Sequence, residues 1–226
     1  MAMPRVPSAA LKLTYFDFTG RAEPIRLAFV LGGVPFEDDR ISFAELAELK
    51  PSLPNRQVPV LTIGGRAMYA QSHAILRYAG VVAGLYPTED PVVALAVDEI
   101  DDSTADILEL MLSTRLEGDK DKKRARCDEL VHGKLKDMLG FLDARIEQCR
   151  LTHGTLDRDG KGGPWVLHAR LTTADLAVHN LVGMTKLGWL EFIPTDLCDS
   201  FPRLVAIHLA IATHPTVVAW KSSRRP

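Results

Sequence analysis

Cysteine is scarce in this chain of 226 residues: Cys127, Cys149 and Cys198 are far apart, odd in number and never in a C-x-x-C pair. A disulfide scaffold, a cysteine-based structural zinc site and a thioredoxin-type redox pair are thereby excluded. No charge of one sign dominates. The 27 Lys and Arg stand against 29 Asp and Glu, a formal net charge of −2, so electrostatics recommend no nucleic-acid partner. Apolar stretches such as Ala79–Pro87 and Val92–Val97 fall well short of the roughly 20 residues that a membrane-spanning helix needs. The N-terminal MAMPRVPSAALKL holds no apolar run of signal-peptide length, so the expectation is a soluble, cytoplasmic protein with no membrane partner. Metal motifs are missing as well. The seven histidines form no H-E-x-x-H, and in the calcium-loop-like Asp157-Arg158-Asp159-Gly160 the closing acidic position falls on His168. No phosphate-cradling loop occurs, and no metal is expected.

What is present is the balance of an ordinary globular protein, 46% apolar and 25% charged, long enough for one large domain or two small ones. The chain changes character near residue 86. Before it, Leu11 to Phe16 reads as a strand, and Gly20 to Leu31 has helical periodicity ended by Gly32-Gly33. Val34 to Ile41 suits a second strand. Val58 to Ile63, Gly64-Gly65 and Arg66 to Tyr69 suit a hairpin, because two glycines accept the positive φ of a tight turn. Ser72 is expected to cap a helix running from about His73 to Val82. After the connector Gly84–Pro91 the strand signals stop, and helices are expected over Val92–Glu117, Lys122–Arg150, Thr173–Leu187 and Arg203–Ala212, with Thr152–Pro164 a loop. Two domains are therefore predicted, residues 10–84 and residues 92–226.

Several positions carry more than one reading. Tyr15 closes the first strand just ahead of a helix, either as a core ring or as a hydroxyl presented at the strand end. Val58-Pro59 puts a proline at the start of a central strand, where its missing N–H is costly unless a bend is needed; such bonds are cis in only about 5–6% of cases. Gln71-Ser72 lies at a helix start, where unpaired N–H groups bind anions; Ser72 can serve as cap and as anion ligand together. Asp98, Asp102 and Asp106 share one helical face, which is either a solvated acidic surface or one that meets a cation. Glu23 and Arg26 read as a surface or buried structural pair, and Thr172-Thr173-Ala174-Asp175 as a capping box with a folding role.

In order along the chain, Tyr15-Phe16, Gly20-Arg21-Ala22-Glu23-Pro24-Ile25-Arg26, Lys50, Gln57-Val58-Pro59 and Gln71-Ser72-His73-Ala74-Ile75 resemble the cytosolic glutathione transferases. The likeness is closest to their sigma class, which includes the haematopoietic-type prostaglandin D synthases, and it runs from about Lys12 to the last helix. It implies an N-terminal thioredoxin-like domain (βαβ–ββα, a mixed four-stranded sheet) followed by an all-α domain. It implies an enzyme that uses glutathione as co-substrate, needs no cofactor, takes small apolar electrophiles and works as a homodimer.

The chemistry to be served is plain. A free thiol has a pKa of about 8.5, so little of it is the nucleophilic thiolate at neutral pH. Lowering that value by about two units takes roughly 2.7 kcal/mol of preferential thiolate stabilisation, within reach of a tyrosine O–H···S⁻ bond plus positive potential. By resemblance Tyr15 is that donor and Arg21 organises the site beside it. Phe16, Lys50, Gln57, Val58, Pro59, Gln71 and Ser72 hold the tripeptide: Val58, ahead of a cis proline, pairs with the cysteinyl backbone, Ser72 takes the γ-glutamyl carboxylate, and Lys50 and Gln57 serve the glycyl end and nearby backbone. Asp106 reaches the partner subunit's glutathione. The electrophile pocket is lined by Phe18, Leu108, Met111 and Leu112, with the segment around Trp220; apolar residues at helical spacing suit a core equally well.

Two departures stand out: Leu46 occupies the place of an indole donor, and Asn55 that of an aromatic dimer key. The rival readings are a glutathione-dependent prostaglandin-type isomerase, disfavoured by Ser113, and a non-catalytic structural protein of the same fold, disfavoured by the joint presence of Tyr15, Arg21, Gln71 and Ser72.

Overall fold

The computed structural model describes residues 9–223, and within them the chain forms two compact units, residues 9–91 with 214–223 and residues 92–213. The first unit opens with β1 (Leu11–Phe16), whose alternate residues Leu11, Leu13 and Tyr15 are all buried, as the period of a strand requires. A 3-10 turn at Gly20–Ala22 leads into α1 (Glu23–Leu31), with Pro24 in the first turn, where its missing N–H costs nothing. Then come β2 (Glu37–Ile41), α2 (Phe43–Leu49), β3 (Val60–Ile63), β4 (Ala67–Ala70) and α3 (Ser72–Ala83). The sheet order is β2-β1-β3-β4, with β2 parallel to β1 and the other neighbours antiparallel. This is the expected mixed four-stranded sheet. Gly64 and Gly65 both hold positive φ (62° and 68°) in the tight β3–β4 turn.

The second unit is helical: α4 (Pro91–Leu112), α5 (Lys120–His132), α6 (Lys134–His153), α7 (Thr173–Lys186) and α8 (Pro202–Ala212). α7 is buried on every face from Thr173 to Thr185, its polar Asp175, His179 and Asn180 included. Ile100, Ile107 and Met111 of α4, Leu135, Leu139 and Ile146 of α6 and Val178 of α7 are among the wholly buried side chains of this unit. Asp175 starts α7 as the capping box predicts: its wholly buried carboxylate accepts from Thr172 N (2.7 Å), Thr172 Oγ1 (2.9 Å) and, across the loop, Val166 N (2.7 Å). The final helix, α9 (Pro215–Ser222), packs on α1 and brings Lys221 to 3.9 Å from Glu23.

Three sequence expectations need correction. The helix expected over Lys122–Arg150 is two, broken at Gly133, whose backbone (φ −116°, ψ −111°) is not helical. α2 was not expected at all. Ser72 does not cap α3; it is the first helical residue, and Gln71 stands at the cap. By its packing on α1, helix α9 groups with the sheet unit; residues 224–226 lie outside the described residues. All three cysteines are free thiols and buried. No single helix among the described residues is long and apolar enough to cross a membrane.

Candidate functional site

Sheet register gathers the sequence motifs at one end of the sheet. Thr14 of β1 lies opposite Val60 of β3, and Val60 opposite Ala70 of β4. One residue beyond that row come Tyr15, Pro59 and Gln71, with Phe16, Val58 and Ser72 next. Three segments distant in sequence thus end side by side.

Tyr15 is anchored by its ring, which is only 5% exposed. Its hydroxyl oxygen accepts the backbone N–H of Arg21 at 3.1 Å, a bond that uses an oxygen lone pair and not the hydroxyl proton. Gly20 makes this approach possible. Its φ is +50°, and a Cβ at that position would stand 2.6 Å from Tyr15 Oη and 2.9 Å from the Phe18 ring. Only glycine allows the turn to close over the tyrosine.

The turn is held from beneath by Arg26 of α1, a fully buried guanidinium. It donates through Nη1 to Phe18 O (2.7 Å), through Nη2 to Phe16 O (2.9 Å) and through Nε to Asp38 Oδ1 of β2 (2.9 Å). Its Cζ lies 5.7 Å from the Tyr15 ring centroid. Asp38 is shared with Arg40 at 3.0 Å, and Arg40 in turn pairs with Asp17. Glu23, 3.9 Å from Arg26, has its carboxyl pushed up by burial, which its cationic neighbours Lys221 and Arg26 oppose. The expectation of a structural pair at Glu23 and Arg26 holds, but it misses what Arg26 does: it fixes the two carbonyl groups flanking the turn below Tyr15. No local pattern betrays that role, because its partners come from two other segments.

At the neighbouring strand ends, the Val58–Pro59 bond is cis, with Pro59 buried and Val58 half-buried. Asn55, Arg56 and Gln71 all adopt positive φ (54°, 52° and 76°). For a non-glycine side chain such backbone is uncommon and concentrates at functional sites. Gln71, the α3 cap, donates or accepts no capping bond through its side chain, so its exposed amide is not consumed in closing the helix. Ser72 follows in the first turn, where backbone N–H groups lack intrahelical partners and the helix dipole favours an anion. Gln57 is exposed beside Val58, and Lys50 is exposed in the 3-10 turn Lys50–Ser52 after α2.

The remaining candidates are placed as follows. Phe18 is 46% exposed beside Tyr15, their ring centroids 5.5 Å apart edge to face. In the second unit, Leu108 and Met111 are buried in the core and Leu112 is half-buried, all on α4. Asp106 is exposed on the same helix.

A family model described as the glutathione S-transferase N-terminal domain matches residues 11–80, and one described as the C-terminal domain matches residues 105–224. Glutathione S-transferase 1 of Ascaris suum is 40% identical over 218 residues, which cover 94% of this chain and 96% of that protein. Haematopoietic prostaglandin D synthase of Gallus gallus is 31% identical over 216 residues, 94% of this chain and 96% of the relative. Among solved structures, the prostaglandin synthase D of Nilaparvata lugens superposes with a TM-score of 0.77 at 26% identity, covering 96% of this chain and 99% of that one.

Proposed function

This chain belongs to the glutathione S-transferase family, and on that footing we propose that it binds glutathione across the end of its sheet, ionises the thiol beside Tyr15 and adds the sulfur to small apolar electrophiles. The observation that carries the mechanism is the Tyr15 hydroxyl, whose oxygen accepts from Arg21 N–H. A donor to that oxygen draws charge from it and makes its own O–H a better donor to a thiolate. The fixed ring leaves the hydroxyl little freedom to reorganise when charge develops on sulfur, which is the condition for electrostatic stabilisation to count. In this reading Arg21 and Tyr15 are the catalytic pair. Val58 pairs with the cysteinyl backbone, Ser72 and Gln71 take the γ-glutamyl carboxylate, Gln57 and Lys50 serve the glycyl end, and Phe16 and Pro59 shape the floor.

The proposal extends to a cytoplasmic homodimer in which Asp106 of α4 reaches the glutamyl ammonium of the glutathione held by the other subunit. Phe18, exposed beside Tyr15, remains the proposed contact of the electrophile in the sheet unit. A second reading, the isomerisation of an endoperoxide by the same thiolate, is favoured by the 31% identity to a haematopoietic prostaglandin D synthase. An isomerase assay beside a conjugation assay separates the two.

Replacing Tyr15 with Phe tests the mechanism, since it removes one hydroxyl and keeps the buried ring. The expected result is a loss of about 1.5–3 kcal/mol in transition-state stabilisation, roughly ten- to a hundredfold in kcat at neutral pH, with little change in glutathione affinity. The limb of the pH–rate profile that reports thiol ionisation moves up toward the free thiol. Wild-type kcat with an unmoved profile would mean that another group, Arg21 first, activates the sulfur.

A further inference from the structure

Charge that nearly cancels over the whole chain is not spread evenly. Residues 113–126 and 186–192 carry seven Lys and Arg against four Asp and Glu, in a chain whose net charge is −2. The helical unit folds these two stretches together. Arg115 lies over the Trp189 ring, its Cζ 5.3 Å from the centroid, and Arg124 over the Phe192 ring at 4.4 Å. Lys123 and Lys120 of α5 reach Glu191 at 3.1 Å and 3.8 Å. Only Cys127 of α5 is buried; Lys120, Lys122, Arg124 and Arg126 are all exposed. Two of the interspersed acids are engaged by backbone. Glu117 Oε1 accepts from Asp119 N–H (2.9 Å), and Asp119 Oδ1 from the N–H groups of Asp121 and Lys122 (3.0 Å and 3.1 Å). Apolar surface stands among the cations: Leu116 is 94% exposed, Leu187 61% and Trp189 41%. The Trp189 N–H is already donated to Met184 O at 3.2 Å, so the exposed part of the indole offers ring surface and no donor.

We propose that this face of the helical unit docks on anionic lipid bilayers. Leu116, Leu187 and Trp189 enter the boundary between headgroups and acyl chains, and Arg115, Lys120, Lys122 and Arg124 meet the anionic headgroups. An indole and leucines set among long cationic side chains, whose stems are themselves apolar, match the two chemistries of that boundary. A bilayer takes both at once, where an acidic polypeptide answers the cations alone. Such attachment is peripheral and needs no membrane-crossing helix. It goes beyond the glutathione-conjugating reading and does not depend on it. Joined to that reading, docking brings the protein to the phase in which apolar electrophiles collect.

The test is co-sedimentation of the full chain, at low salt, with vesicles of phosphatidylcholine and with vesicles that also contain phosphatidylserine. The protein pellets with the anionic vesicles and not with the neutral ones, and added salt releases it. Each cation near an anionic surface strengthens attachment roughly fivefold, so the double variant Lys120→Gln, Lys122→Gln loses roughly tenfold to thirtyfold in partition. Leu116→Ser loses roughly tenfold. These side chains stand in solvent, so the variants melt with wild type. Phe141→Ser, at an exposed phenylalanine of α6, partitions as wild type does. Brominated lipid quenches tryptophan emission in wild type and much less in Trp189→Phe. No pelleting, equal pelleting with neutral vesicles, or an unchanged partition in both the lysine and the leucine variants overturns the proposal. So does an equal loss in Phe141→Ser. Capture by polyglutamate without any vesicle binding assigns the face to an acidic polypeptide and overturns it as well.

Discussion

Arg26 in the sheet unit and Asp175 in the helical unit are both wholly buried charged side chains, and the two are used differently. In the sheet unit, Arg26 donates to Asp38 and to the carbonyl groups of Phe16 and Phe18, holding the backbone that frames Tyr15. In the helical unit, Asp175 accepts from Thr172 and Val166, holding only the start of its own helix and the loop before it. Burying either ion is costly unless it finds hydrogen-bond partners, and each nitrogen of the Arg26 guanidinium and each oxygen of the Asp175 carboxylate has at least one. The lesson concerns how a site is recognised. The Asp175 carboxyl is pushed up to about 6, burial outweighing the three hydrogen bonds that oppose it, and a strongly shifted acid is commonly taken to mark an active site. Here it marks a helix cap. The candidate site lies elsewhere, where the buried cation's donors converge on backbone next to Tyr15.

The sharpest way to break this comparison is Asp175→Ala, which leaves three buried donors without acceptors. The expected loss is about 3–5 kcal/mol of stability in urea unfolding, with kcat per folded molecule retained. A loss under about 1 kcal/mol would show that the cap is dispensable. A pH series sharpens it further. Because the folded carboxyl, at about 6, holds its proton more tightly than the ordinary 3.8, the folded state binds more protons than the unfolded state between those values. Wild-type stability relative to Asp175→Asn is therefore greatest below the lower value and declines as pH rises through the upper one, by up to about 3 kcal/mol. Should wild type instead gain on the variant as pH rises, the three hydrogen bonds outweigh burial and the carboxyl titrates below its ordinary value. The smallest effect belongs to the sheet unit. Gly20→Ala forces an alanine into left-handed backbone at about 1–2 kcal/mol, and its Cβ collides with Tyr15 Oη. Both kcat and the pH–rate profile shift, which no Asp175 variant should cause; an unshifted profile would detach the turn from the tyrosine.

Much of the sheet unit is legible from sequence because its signals are local. Leu11 to Phe16 alternates, Gly32-Gly33 stops α1, and Gly64-Gly65 makes the hairpin. The cis bond at Pro59 follows from family resemblance and not from the residues, whose ordinary preference is trans. The missed α2 buries nothing, so it has no apolar stripe to detect; the Ser42-x-x-Glu45 box was the available signal. Ser72 reads as a cap by residue type, yet the chain turns one residue earlier, at Gln71, through a positive φ that glutamine seldom adopts. The split at Gly133 hides because polar helices lie on both sides of it. Arg26 and α9 escape for a different reason: what they touch is set by tertiary packing, and no window of sequence contains it.

The burial of Cys127, Cys149 and Cys198 has a consequence for a protein that handles electrophiles. Burial also pushes the thiols of Cys149 and Cys198 up, away from the thiolate that an alkylating agent needs. The protein's own thiols are withheld from electrophiles in solution, and the expected outcome is that prolonged incubation with an alkylating electrophile leaves them unmodified by mass spectrometry. The same reticence makes the chain a silent background for labelling. A single cysteine introduced at a solvent-facing position such as Phe141 or Leu151 becomes the one protein sulfur that a maleimide finds.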